Sequence, residues 1–354
     1  MPRRFSVGPA VRASWRRRLG IVPFGRTLPE APVVDTRPDW QQADAHWIRR
    51  ALARSQELPS GGWYVLDASR SFSEQPRRMH VAGLPLVVFR SGAQLVAARD
   101  ACPHMGASLS EGYVCEGKLI CPWHGLALGP GREAGFRPFR TYDDGELLWL
   151  QLSAAHVAGG TAPGELSARP YLPERPARGL SAVIRMEARC EPRDVVQNRL
   201  DPWHGAHYHP HSFGRLRVID QTEDAITVRV AYKVAGPLAV EVDARFHCPD
   251  PRSIVMTILR GDGQGSVVET HATPLAEGRT AIVELTLASS DRPGFGLALR
   301  AAPVLQPIMR WAAARLWTED ARYAERLYEL RQTAHAHKEL ASIHVDGEER
   351  AQLG

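Results

Sequence analysis

The chain contains no apolar run approaching the roughly 18 residues that suggest a membrane-spanning helix, so no helical span is expected. Its first residues, MPRRFSVGPAVRASWRRRLGIVPFG, carry arginines but no continuous apolar core and no small-residue cleavage site. Neither a secretory nor a twin-arginine leader is therefore expected, and the cytoplasm is the expected compartment. Cysteine is scarce: five in 354 residues, an odd number without a disulfide framework. In a cytoplasmic chain such cysteines more often bind metal or do chemistry. Lysine is nearly missing, with only Lys118, Lys233 and Lys338, so the net charge of +5 rests on arginine. That ratio alone points to no function. A dinucleotide-binding glycine fingerprint is missing too, because GDGQG at 261–265 lacks the strand–turn–helix setting. No internal repeat is present.

What is there divides into five stretches. Residues 1–60 read as a basic N-terminal extension, since Arg3, Arg4, Arg12, Arg16, Arg17, Arg18 and Arg26 all precede the first acid, Glu30. Trp15, Leu19, Ile21 and Phe24 interleave with them. A solvated tail is one reading and peripheral contact with an anionic membrane surface is the other. Nucleic-acid binding is not expected, because no nucleic-acid module follows. One short helix is expected in WQQADAHWIRRALARSQ. Over 61–153, short β-type runs such as WYVLDA, LPLVVFR and LLWLQL alternate with turns, which predicts a small all-β domain. Residues 154–179, rich in Gly, Ala and Pro, read as a linker. Over 180–340, strand-like runs precede a long segment whose apolar residues recur at three-to-four spacing. That order predicts an α+β domain with an antiparallel sheet and a long C-terminal helix. Residues 341–354 read as a tail.

The chemistry concentrates in CPHMGASLSEGYVCEGKLICPWHG. Cys102-x-His104 is followed after sixteen residues by Cys121-x-x-His124. Two such pairs suit tetrahedral zinc. They also suit a [2Fe–2S] cluster held by two cysteines on one iron and two histidines on the other. Zinc fingers usually pair Cys with Cys and His with His, whereas each half here supplies one of each. Pro and Gly flank both pairs, where tight loops must fold around a cluster.

From about Trp63 to Leu152 this pattern resembles the Rieske family. The resemblance implies that Cys102 and Cys121 bind the inner iron and His104 and His124 the outer one, with Cys115 a non-ligand. Respiratory Rieske proteins carry two further cysteines that tie the loops together, and the equivalent positions here are Ala107 and Trp123. The resemblance is therefore to the oxygenase and ferredoxin branch. Met105 and Leu126 depart from the Arg and Trp frequent at those places.

A second motif is DVVQNRLDPWHGAHYHPHSFG, with Asn198, Asp201, His204 and His209 at spacings of three, three and five. Two histidines and a carboxylate on one face of iron form the facial triad of non-haem Fe(II) oxygenases. A segment holding His204, His207, His209 and His211 also suits a surface cluster or loosely bound zinc. Following a Rieske-like domain, the pattern resembles the catalytic domain of Rieske non-haem iron oxygenases. That implies His204 and His209 as ligands of mononuclear Fe(II) and Asn198 near the metal. It implies Asp201 as a non-ligand linking His124 of the partner subunit to His204. His207 and His211 match no family position. The third ligand is expected at Asp320, followed by Glu325 as in the family, although Tyr328 stands where Gln is frequent. Glu319 is the rival, pointing about 100° away on a helix.

The resemblance implies an oxygenase component that uses O2 and takes electrons from a ferredoxin or an NAD(P)H-dependent reductase. It also implies a head-to-tail homotrimer. Hydroxylation, demethylation or desaturation is the expected outcome. The alternative is an electron-transfer protein on an inactive oxygenase-like scaffold, and a zinc-binding structural protein is the third reading. The second domain's strands and closing helix offer Val, Leu, Ala, Met309 and Trp311 with few charges. A hydrophobic substrate, such as a terpenoid, sterol-like or aromatic ring system, is expected.

Overall fold

The computed structural model describes residues 22–23, 25–26, 28–29, 42–131, 135–157, 165–235 and 238–352, with backbone alone at 22–23, at 234–235 and from 335 onward. The arginine-rich stretch through Arg18, with Trp15, lies outside the described residues.

The first described elements are β1 (Val22–Pro23) and helix α1 (Ala45–Glu57). Asp44 caps α1 by accepting from the backbone N–H groups of His46 and Trp47. Trp47, Ile48, Ala51 and Leu52 form its buried stripe. The stripe packs against Leu200, Trp203, Ile226 and Phe246, so this helix is part of the second domain's core rather than of an extension.

Nine strands follow: β2 (Trp63–Ala68), β3 (Arg77–Val81), β4 (Leu84–Ser91), β5 (Gln94–Arg99), β6 (Tyr113–Cys115), β7 (Lys118–Ile120), β8 (Ala127–Leu128), β9 (Arg140–Asp143) and β10 (Leu147–Gln151). They form three antiparallel sheets, ordered β2-β10-β9, β3-β4-β5 and β6-β7-β8. All of WYVLDA is buried, which explains its continuous rather than alternating apolar pattern. Tyr64 and Leu66 face the all-β core. Trp63 and Val65 turn the other way and join Trp149, Val183, Val283 and Leu285 in a core shared with the second domain.

The second domain opens with β11 (Leu180–Ala188), α2 (Pro192–Arg199) and α3 (Trp203–Tyr208). Then come β12 (Phe213–Gln221), β13 (Ala225–Ala235), β14 (Leu238–Asp250), β15 (Ser253–Gly261), β16 (Val267–Ala276) and β17 (Arg279–Ala288). The sheet order is β11-β17-β16-β15-β14-β13-β12, antiparallel throughout, and β1 adds in parallel to β14. Helices α4 (Phe295–Arg300) and α5 (Ala302–Gln352) close the chain, so helix continues through most of the expected tail. Trp317, Ala321 and Ala324 lie on one face of α5 and pack on Ile184, Ala272 and Ile282. Arg331 of α5 clamps the start of α2 through Asp194 and, at 2.8 Å, Glu191.

Arg175, from the connecting segment, donates to Glu269 of β16 at 2.6 Å and to Asp144, between β9 and β10, at 3.1 Å. One half-buried cation between two buried carboxylates thus joins both domains. No described helix is long and apolar enough to cross a membrane.

Candidate metal centres

The first centre is built by two loops of one design. Between β5 and β6, Cys102 N–H donates to Ala107 O at 2.8 Å and Gly106 N–H to Cys102 O at 2.8 Å. Between β7 and β8, Cys121 N–H donates to Leu126 O at 2.9 Å and Gly125 N–H to Cys121 O at 3.1 Å. Gly106 and Gly125 have φ of 79° and 67°, a left-handed conformation that a Cβ would strain. Each loop therefore turns its thiol inward. Cys102 and Cys121 are buried, while His104 and His124 are exposed with ring centroids 4.9 Å apart. The backbone N–H groups of His104 and Met105 bond the Cys102 sulfur, and those of Trp123 and His124 bond Cys121. Beneath the first loop, buried Asp100 accepts from the hydroxyls of Ser108 and Ser110 at 2.9 and 2.7 Å. Two inward thiols, two outward imidazoles and N–H groups aimed at sulfur suit a [2Fe–2S] cluster with mixed ligation. Ala107 is buried, Trp123 is exposed and all five cysteines are free thiols.

The second centre lies where α2, α3 and α5 meet. Asn198 is in the last turn of α2, His204 is on α3, His209 ends α3 and Asp320 lies on the buried face of α5. One ligand atom each from His204, His209 and Asp320 lies within 4.8 Å of the others. Both imidazole Nε2 atoms converge on Asp320 Oδ1, at 3.1 Å from His204 and 2.8 Å from His209. Asn198 Nδ2 donates to the same oxygen at 3.1 Å. Its own Oδ1 is buried without a hydrogen-bond partner. Burial raises the Asp320 pKa, but His204 and His209 outweigh it and hold the carboxyl well below its usual range. Burial likewise lowers His204, yet Asp201 and Asp320 raise it to about 9. The site thus calls for positive charge between two imidazoles and a carboxylate, which suits a divalent metal on a facial triad.

Glu319 and Asp320 approach His209 from opposite sides. Glu319 Oε2 lies 2.5 Å from His209 Nδ1, leaving Nε2 for Asp320. An acid on the outer nitrogen fixes the ring's tautomer and orientation. Sequence reasoning treated the two acids as rivals for one place and missed this division. No sequence signal could have shown it, because it depends on where His209 stands relative to α5. Asp201 Oδ2 lies 3.7 Å from His204 Nδ1 and accepts from the Tyr323 hydroxyl at 3.1 Å. The 3.7 Å contact is too long for a hydrogen bond. Tyr323 was missed as well, although it lies three residues after Asp320. Glu325 is away from the centre and accepts from Arg189 N–H at 3.0 Å. His207 is exposed, and His211 lies 3.9 Å from Glu319.

A cavity of about 420 Å³ opens beside the triad between the sheet and α5. Phe213, Val230, Phe246, Met256 and Met309 supply an apolar lining. Arg199 and Glu284 are charged exceptions that the sequence did not reveal. Trp311, expected in the pocket, is instead 63% exposed, because it lies on the outer face of α5. A larger hollow of about 680 Å³ lies beside Pro103 and Phe136. It is bordered by Arg99, Arg137 and Arg140 rather than convergent ligands, so volume does not mark the site.

Residues 62–136 match the Rieske [2Fe-2S] domain family, and residues 160–335 match a domain of unknown function (DUF5914). The vanillate O-demethylase oxygenase subunit of Pseudomonas sp. (strain HR199 / DSM 7063) is 28% identical over 46% of this chain and 48% of its own length. The 4beta-methylsterol monooxygenase of Methylococcus capsulatus (strain ATCC 33009 / NCIMB 11132 / Bath) is 29% identical over 52% of this chain and 54% of its own. The chain thus spans about half the length of the curated relatives it matches. The crystal structure of dicamba monooxygenase bound to dicamba superposes with a TM-score of 0.60 at 21% identity, covering 79% of this chain and 90% of that one, and shows a shared fold. The chain thus carries a Rieske [2Fe–2S] domain joined to a sheet-and-helix domain, and over about half its length it is similar to oxygenase components of the Rieske non-haem iron type.

Proposed function

We infer that this chain is the oxygenase component of a multicomponent system that oxidises a hydrophobic organic substrate with O2. The observation that carries this reading is the convergence of His204, His209 and Asp320 in the lining of a largely apolar cavity. Cys102, Cys121, His104 and His124 hold a [2Fe–2S] cluster, and the triad holds mononuclear Fe(II). Bound together, these groups supply electrons one at a time and activate O2, which is otherwise kinetically inert toward organic molecules.

The protein's own residues do the rest. Glu319 keeps His209 in the tautomer that presents Nε2 inward. Asn198 steadies the Asp320 carboxylate. Asp201 is held by Tyr323 beside the outer face of His204, and its assigned role is to receive electrons from a neighbouring subunit. The apolar wall holds substrate and excludes water. Electrons come from a ferredoxin or an NAD(P)H-dependent reductase, and the working assembly is a homotrimer. The relatives' printed activities, O-demethylation and sterol oxidation, support hydroxylation or demethylation of a lipophilic ring compound.

An iron and acid-labile sulfide count on anaerobically purified protein tests the reading. The wild type should carry about three irons and two sulfides per chain, and Asp320→Ala should lose about one iron while keeping its sulfide. A count of about two irons and two sulfides in both proteins would leave an electron-transfer protein instead.

A further inference from the structure

The cavity beside the triad is apolar except for a few polar groups, and the pair Arg199 and Glu284 is unusual among them. Their closest approach is 3.9 Å, Nη2 to Oε2, too long for a hydrogen bond. Glu284 is 6% exposed on β17, and its Oε2 accepts from Trp317 Nε1 at 2.7 Å and from the Thr270 hydroxyl at 3.4 Å. The Arg199 guanidinium lies over the rings of Phe246 and Trp317, 5.9 and 5.7 Å from their centroids, which fixes its position. Its Nε is buried with no hydrogen-bond partner among the described residues. A buried donor left without an acceptor is costly, so hydrogen bonding from Nε is not what holds the guanidinium, and its outer nitrogens are the ones left to serve the cavity. A purely structural pair would close to a bidentate contact near 2.8 Å and satisfy both partners.

We propose that Arg199 and Glu284 are the specificity determinant of this cavity, holding one neutral oxygen, a hydroxyl or a ketone, on an otherwise lipophilic substrate. The pair is the kind of small polar group that orients a ligand in an apolar pocket. Charge decides between oxygen types. A ketone accepts from Arg199 alone. A hydroxyl accepts from Arg199 and donates to Glu284. A carboxylate would bring a second acid against Glu284 and lose its own hydration. The proposal rests on the reading that this cavity receives the substrate, and it names the class.

The test is calorimetric titration of the full-length, iron-loaded protein with four ring-matched probes: tetralin, 2-tetralol, 2-tetralone and tetralin-2-carboxylate. The alcohol and ketone should bind at least about tenfold tighter than tetralin. Arg199→Gln should abolish that advantage for both, Glu284→Gln for the alcohol only, and tetralin should bind all three proteins alike. If Arg199→Gln does not fold, Arg199→Lys keeps the charge but loses the fork, and the ketone's advantage should still fall. Equal binding of alcohol, ketone and tetralin would overturn the proposal. So would tightest binding of the carboxylate, or no binding of any probe. The iron count on the same preparation reads the metal proposal separately. Selective binding without mononuclear iron would sink the catalytic reading and leave this one standing. A full iron count with unselective binding would do the reverse.

Discussion

His209 is held on both of its ring nitrogens. It is 1% exposed, with Asp320 on one nitrogen and Glu319 on the other. Its ring can rotate only by breaking two charge-assisted bonds. Glu319 therefore matters to metal affinity without lying on the triad. Glu319→Gln should weaken iron retention roughly 10- to 100-fold, read as loss to a competing chelator with the cluster's visible absorption unchanged. An unaltered affinity would mean that His209 is oriented by packing alone.

Helix α1 is the element whose place differs most from the sequence reading. Its pattern predicts an amphipathic helix, and that helix forms, but periodicity does not say which surface will cover the stripe. The structure seats Trp47 under β13 and β14, with its Nε1 donating to Thr222 O at 2.8 Å. Trp47→Ala should cost about 3–5 kcal/mol and Asp44→Ala about 1 kcal/mol, both measured by urea unfolding of the full chain. Helix α5 shows the converse case. Trp317, Asp320, Ala321 and Ala324 share one face, and that spacing is legible in the sequence. It selects Asp320 over Glu319 for the inward position.

At the scale of the whole molecule, Arg175 ties the two domains through acids that are almost fully buried. Burial raises the pKa of Asp144 and of Glu269, but hydrogen bonds and charge outweigh it and hold both below their usual values. Arg175 contributes to both, joined by Trp149 and Leu147 at Asp144 and by His271 at Glu269. A depressed carboxyl pKa contributes stability that is present above the unfolded-state value and lost as pH falls through the folded one. The ordinary values are 3.8 and 4.5, so this contribution should fade below about pH 4. Arg175→Met strands two buried carboxylates and should cost about 3–5 kcal/mol at neutral pH. Its deficit relative to wild type should shrink in acid, measured as urea midpoints across pH. A deficit independent of pH would mean that Arg175 acts through packing alone.

Secondary-structure elements, and the chemistry that depends on neighbours along the chain, are legible in the residues alone. Cys102 and His104, or Cys121 and His124, are close because they lie two and three positions apart, and Gly106 and Gly125 permit the turns. The α+β class and the closing helix followed from period alone. Which distant groups meet is settled by how the elements dock: Asp320 with His204 and His209, Glu319 behind His209, Arg199 with Glu284, and α1 against the sheet. The partners lie from 85 residues apart, Arg199 to Glu284, to 175 apart, Trp47 to Thr222. Local pattern carries no information about such distances, because burial of several faces at once, not the propensity of any one, sets how the elements dock.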